Sequence, residues 1–107
     1  MKRGSVWWVE FDPSIGSEIQ KTRPAVIVSN DTANKFLARV VVIPLTSNVS
    51  RLYPGEAIVT INNTKNKAMT DQIMSADKSR LKGKIAELSD NDIFSIELAM
   101  KRFFDLV

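Results

Sequence analysis

The stretch Gly16-Ser17-Glu18-Ile19-Gln20-Lys21-Thr22-Arg23-Pro24 gathers one carboxylate, three hydroxyl or amide side chains and two cations into nine residues. Such a set can hold a polyanion and move protons: the Arg23 guanidinium is a rigid fork of donors matched to phosphate oxygens, and Glu18 can accept a proton. The chain contains no histidine and no cysteine. The usual acid–base group near neutral pH, the commonest metal ligand and any thiolate zinc site are therefore missing, and no EF-hand loop is present. Chemistry without a metal or other cofactor is expected.

The polar stretch is bracketed by Val6-Trp7-Trp8-Val9-Glu10-Phe11 and Ala25-Val26-Ile27-Val28, so it reads as a functional loop hung between two rigid strands. Strands are predicted at Val6–Phe11, Pro24–Ser29, Ala38–Leu45, Glu56–Ile61 and Met69–Ala76, with a shorter one at Lys84–Leu88. The unbroken Val40-Val41-Val42-Ile43 predicts burial on both faces. A short helical turn is expected from Asn30 or Asp31 through Lys35, since Asn and Asp cap well. Ser89 and Asp92 form a capping-box pattern ahead of Ile93, Ile96, Met100, Phe103 and Val107, which recur at helical spacing and predict a C-terminal helix packed on the sheet. Met100, Phe103 and Phe104 are read as core. Strands followed by one late helix imply an α+β fold with a strongly bent sheet or small barrel.

With 107 residues, 44% of them hydrophobic, and no repeat or linker, one domain covering residues 1–107 is expected. No apolar run approaches the roughly 18 residues that span a bilayer, so a soluble, cytoplasmic protein without membrane association is the expectation. The net charge is +3, and it is uneven: Lys65 to Lys84 carries six cations against Asp71 and Asp77, while Ile85 to Val107 carries two against five anions. A basic middle suits a polyanion or an acidic peptide, or is a solvated face.

Arg3-Gly4-Ser5-Val6-Trp7, Phe11-Asp12-Pro13, Gly16-Ser17-Glu18, Thr22-Arg23-Pro24, Ser29-Asn30-Asp31, Pro44-Leu45-Thr46-Ser47 and Asp71-Gln72 through Arg80-Leu81 resemble, in order and spacing, the MazF/PemK-like toxins of bacterial toxin–antitoxin systems. The resemblance covers nearly the whole chain. It implies a small SH3-like or CcdB-like β-barrel of about five to seven mainly antiparallel strands. It also implies a homodimeric endoribonuclease that cuts single-stranded RNA, typically mRNA at short preferred sequences, by attack of the ribose 2′-hydroxyl on the adjacent phosphate. A cognate antitoxin with an acidic, initially disordered segment is the implied protein partner.

The resemblance casts Arg23 as the phosphate-binding catalytic group and Thr46 as a hydrogen-bond donor to a non-bridging oxygen, assisted by Ser47, with Asn48 beside them expected to contact RNA. Taken alone, Thr46 and Ser47 read as an ordinary turn and Arg23 as one side of a structural ion pair. Glu18 matches the glutamate of the MazF branch and is either a proton acceptor kept ionised by Arg23 or a loop carboxylate that orients it. Ser17, Gln20, Lys21 and Thr22 are expected to contact RNA from the first loop, as is Arg80. Asp71 and Gln72 would contact base edges or hold the arginine. Ser17 and Met69 stand where the PemK branch has histidine and arginine, which favours the MazF branch. Trp8 leaves the core face of the first strand, free to stack on a base or to pack against a second subunit. Lys65, Lys67, Lys78, Lys82 and Lys84 read as solvated charges that can steer RNA. A rival of another class is a CcdB-like DNA gyrase poison, a toxin group sharing this barrel. Those toxins end Trp-Gly-Ile, whereas this chain ends Phe103-Phe104-Asp105-Leu106-Val107.

Overall fold

The β-branched and aromatic runs fold as strands in the computed structural model, which describes residues 1–106. The elements are β1 (Ser5–Glu10), β2 (Thr22–Ile27), α1 (Asp31–Phe36), β3 (Arg39–Thr46), β4 (Ala57–Ile61), β5 (Thr64–Ala68), β6 (Met74–Asp77), β7 (Leu81–Glu87) and α2 (Asp90–Phe103), with short 3-10 turns at Thr70–Gln72 and Lys78–Arg80. The strands run β4-β5-β3-β2-β1-β7 across one antiparallel sheet, and β6 pairs with β3 off that path. One edge of β3 faces β2, while the other is shared by β6 at Arg39–Val42 and β5 at Leu45–Thr46. Two strands on one edge, and register shifts between β1 and β7 on either side of the Trp7–Trp8 pair, curl the sheet into a half-barrel. The fold is α+β, as expected.

Alternation along β2 and β3 sends side chains into two cores. Val26, Ile43 and Leu45 join Val6 and Val59 beneath Ile96 and Ala99 of α2, while Ala25, Ile27, Val40 and Val42 join Val9 and Phe11 on the opposite face. Val40, Val42 and Ile43 are thus buried across both faces, as the run's composition predicts, while Val41 is half-buried. Each fully buried Val, Leu or Ile contributes about 1.5–3 kcal/mol. The predicted N-terminal caps also form: Asn30 accepts the amide of Ala33, and Ser89 accepts that of Asp92.

The structure corrects four expectations. Thr64–Ala68 is a strand that its polar sequence does not announce; it closes a hairpin through Asn62 and Asn63, both at positive φ, a conformation Asn tolerates in two-residue hairpin turns. The predicted strand Met69–Ala76 is a 3-10 turn at Thr70–Gln72 followed by four residues of β6. Asp92 does not complete a capping box, because its carboxylate accepts the amide of Thr60 in β4 at 2.9 Å and so ties α2 to the sheet. Phe103 and Phe104 are 46% and 44% exposed and stack edge to face on each other; the sheet ends before the last turn of α2 reaches it. Ile93 and Met100 do pack on the core, and Val107 lies outside the described residues.

Candidate active site

Strand pairing explains how the first loop and the end of β3 meet. β2 pairs with β3 from Ile27↔Val42 to Ala25↔Pro44, and Arg23 and Thr46 lie just past the end of that ladder, two residues beyond its last pair on their respective strands. Beyond Ala25 the two strands part, because β3 turns its far edge to β5 while β2 stays bonded to β1 through Val9↔Arg23 and Glu10↔Thr22. The parting opens a groove of about 640 Å³ lined by Trp8, Lys21, Thr22, Arg23, Thr46 and Ser47, with Asn62, Thr64 and Asn66 from the β4–β5 hairpin. Its floor includes Leu45, Ile61 and Ile85.

Two hydrogen bonds orient the polar groups. The Thr46 hydroxyl accepts the amide of Asn48 at 3.2 Å, which leaves its own proton free to donate into the groove. Arg23 donates through Nε to the carbonyl of Gln20 at 3.3 Å, leaving both terminal nitrogens of the fork for a ligand. No ion pair involves Arg23 among the described residues, so the structural-pair alternative finds no partner there. Trp8 is 45% exposed and pairs with Pro24 and Gly83. Its indole stands on the groove wall.

The structure separates Glu18 from this groove. Ser17, Glu18, Asp71 and Gln72 line a second hollow of about 480 Å³ with Phe11 and Met74. The Glu18 carboxylate accepts the amide of Ile15 at 2.6 Å, closing its own loop, and pairs with no cation among the described residues. Gln72 spans from the 3-10 turn to that loop, accepting from the amide of Ile19 and donating to the carbonyl of Ser17. Asp71 adds a second carboxylate to the hollow, while Gln20 lines neither concavity. Asn48 turns its side chain onto Ser50. Arg80 donates through one nitrogen to the carbonyls of Glu10 and Asp12, each at 2.9 Å.

Lys67 is a further correction, since it is 9% exposed rather than solvated. Its ammonium meets Glu56 at 3.3 Å, donates to the carbonyl of Arg51 and lies over the Tyr53 ring, fastening the loop that follows Thr46 and Ser47. Lys82 and Lys84 pair with Glu10 and Glu87. What sequence reasoning missed is the contribution of Asn62, Thr64 and Asn66 to the groove; the Asn-Asn hairpin was the available signal.

A family model described as PemK-like, MazF-like toxin of type II toxin-antitoxin system matches residues 2–104. The chain belongs to that family. Among its relatives, endoribonuclease MazF9 of Mycobacterium tuberculosis is 36% identical over an alignment covering 99% of this chain and 98% of its own. Endoribonuclease MazF of Staphylococcus saprophyticus is 35% identical, covering 94% of this chain and 88% of its own. In fold, the family member superimposes on MazF of Deinococcus radiodurans with a TM-score of 0.86, at 22% identity over 98% of this chain and 96% of that one. It also matches a mycobacterial endoribonuclease in complex with its cognate antitoxin, with a TM-score of 0.84 at 22% identity over 100% and 97% of the two chains. Among the described residues no helix is long and apolar enough to cross a membrane.

Proposed function

We propose that the chain is the toxin of a toxin–antitoxin pair and cuts single-stranded RNA, mRNA above all, at preferred sequences and without a metal. Endoribonuclease is the enzyme class of its whole-length relatives. The observation that carries the detailed reading is the meeting of Arg23 and Thr46 in one groove with no histidine in the chain. In the proposed reaction the ribose 2′-oxygen attacks its own phosphate, the new P–O bond forms and the bond to the 5′-oxygen breaks. Arg23 and the Thr46 hydroxyl would hold the non-bridging oxygens as charge builds on them. Ser47, Thr22 and Lys21 would position the strand. The groove lining among the described residues contains no carboxylate. The 2′-hydroxyl proton therefore passes to water or to a non-bridging oxygen, and the leaving 5′-oxygen takes its proton from Lys21 or water.

The second hollow, with Ser17, Asp71 and Gln72, offers donors and acceptors for base edges. An acidic antitoxin segment would compete for the cations of the groove by folding onto it. A homodimer is part of the proposal, because Phe94 and Leu98 of α2, with Phe104 at its C-cap, leave an apolar stretch in solvent, the kind of surface a second subunit covers.

The test is incubation of the purified protein with a long single-stranded RNA in excess chelator, followed by mapping of the ends. Discrete cuts with 2′,3′-cyclic or 3′-phosphate ends are expected. Intact RNA together with inhibited gyrase supercoiling would establish the rival toxin class instead.

Trp8 supplies a second test of the groove as the RNA path. Aromatic–base stacking is worth about 1–3 kcal/mol per base, so Trp8→Ala is expected to weaken binding of a short uncleavable RNA by roughly 5- to 150-fold. Fluorescence anisotropy reads this directly. An unchanged affinity would assign the indole to packing rather than to RNA.

A further inference from the structure

Arg80 stands where a backbone ladder stops. The pairing of β1 with β7 ends at Val9↔Leu81, and the next carbonyls facing that edge, Glu10 and Asp12, have no backbone donor from β7. The side chain of Arg80, one residue before Leu81, supplies both hydrogen bonds from a single nitrogen, each 2.9 Å long. The arginine is itself held by a 3-10 turn, Lys78–Arg80, whose N-cap Asp77 accepts the amide of Ser79 at 2.9 Å. That bond, the Ser79 hydroxyl, and the charges of Arg39 and Arg80 hold the Asp77 carboxyl below its ordinary range.

The two carbonyls lie at the neck of the first loop. Directly across it, the amide of Lys21 donates to the Asp12 carboxylate at 3.0 Å and the carbonyl of Lys21 accepts the amide of Phe11 at 2.8 Å. Lys21 has φ of 65°, a conformation that costs a non-glycine residue unless its surroundings enforce it. Two residues on is Arg23. We propose that Arg80 is a positioning residue of the groove: it extends the β1–β7 ladder by side chain, locks Asp12 against Lys21, and thereby fixes where the Arg23 guanidinium enters. It thus acts through Asp12 and Lys21 and does not bind RNA itself. This rests on the reading of the groove around Arg23 as the site of cleavage.

The experiment compares wild type, Arg80→Gln and Arg80→Lys in single-turnover cleavage of a short RNA, in RNA affinity across a salt series, and in amide hydrogen exchange without RNA. Arg80→Gln is expected to lower the cleavage rate by about 10- to 100-fold, since small misplacements of a catalytic group cost that much. The salt slope of RNA affinity should stay unchanged, and exchange at Lys21 and Phe11 should quicken while α2 keeps its protection. Arg80→Lys should restore most of the rate, because an ammonium has donors enough for two carbonyls. A salt slope smaller by about 0.7, the value of one phosphate contact on a single strand, with the cleavage rate intact, would overturn the proposal in favour of direct RNA contact. Unaltered exchange at Lys21 would overturn it as well. If wild type itself fails to cleave, the groove reading falls, while the exchange result still decides whether Arg80 holds the loop neck.

Discussion

Arg23→Ala is expected to lower kcat for RNA cleavage by about 10²- to 10³-fold, the cost of deleting one preorganised donor to a developing oxyanion. The effect should fall on kcat more than on KM, because the fork meets the phosphate most strongly when charge has accumulated on it. Stability should hardly move. Arg23 is exposed, makes no ion pair among the described residues and donates only one long hydrogen bond, to Gln20; exposed substitutions of this kind change stability by within about 0.5 kcal/mol. Arg23→Lys separates charge from geometry. A lysine keeps the cation but presents a point charge in place of two parallel donors, so partial recovery of the rate is expected, and full recovery would mean that charge alone is required. Single-turnover kinetics on a short RNA, with thermal unfolding of each variant alongside, measures all of this. An Arg23→Ala protein that folds and cleaves at the wild-type rate would remove the central group of the proposed mechanism.

Much of this arrangement is legible before any coordinates, and the reason differs from residue to residue. β1, β2 and β3 announce themselves because β-branched side chains buried on one or both faces leave a dense apolar run. The polar segment between β1 and β2 is then a loop by elimination. β5 is hidden because two of the three residues it buries are polar: Asn66 and Lys67 are buried through a hydrogen bond to the Thr64 carbonyl and an ion pair to Glu56, neither of which leaves an apolar signature. The position of Glu18 is equally hidden. Sequence proximity sets it five residues from Arg23, but the loop folds back at Ile15 and carries the carboxylate into the other hollow. The join of Arg23 with Thr46 depends on strand register, a long-range property that no local pattern encodes. Helical spacing likewise finds α2 but not its surroundings, so Phe103 and Phe104 carry the right period over the wrong length of sheet.

Gly4→Ala is expected to destabilise the fold by about 2–5 kcal/mol, summed from two separable causes. Gly4 has φ of +89°, and a Cβ built there would lie 2.6 Å from Cδ1 and 3.3 Å from Cγ1 of Ile93. The positive φ costs an L-residue about 1–2 kcal/mol, and forcing a methyl into an occupied contact costs about 1–3 kcal/mol more. The glycine cannot drift away, since its amide donates to Ile27 and its carbonyl accepts from Leu88, bonds of 2.8 and 3.0 Å that join β2 to the entry of α2. Ile93→Val removes Cδ1, the atom of closest approach, and by itself costs about 0.5–1.5 kcal/mol. In the double variant the clash should be largely relieved while the backbone strain persists. The two losses should therefore sum to more than the double variant shows, with a coupling of about 1 kcal/mol or more. Urea unfolding of the four proteins yields the cycle. Strict additivity would mean that the methyl is accommodated without Ile93 and that Gly4 is required for its backbone conformation alone.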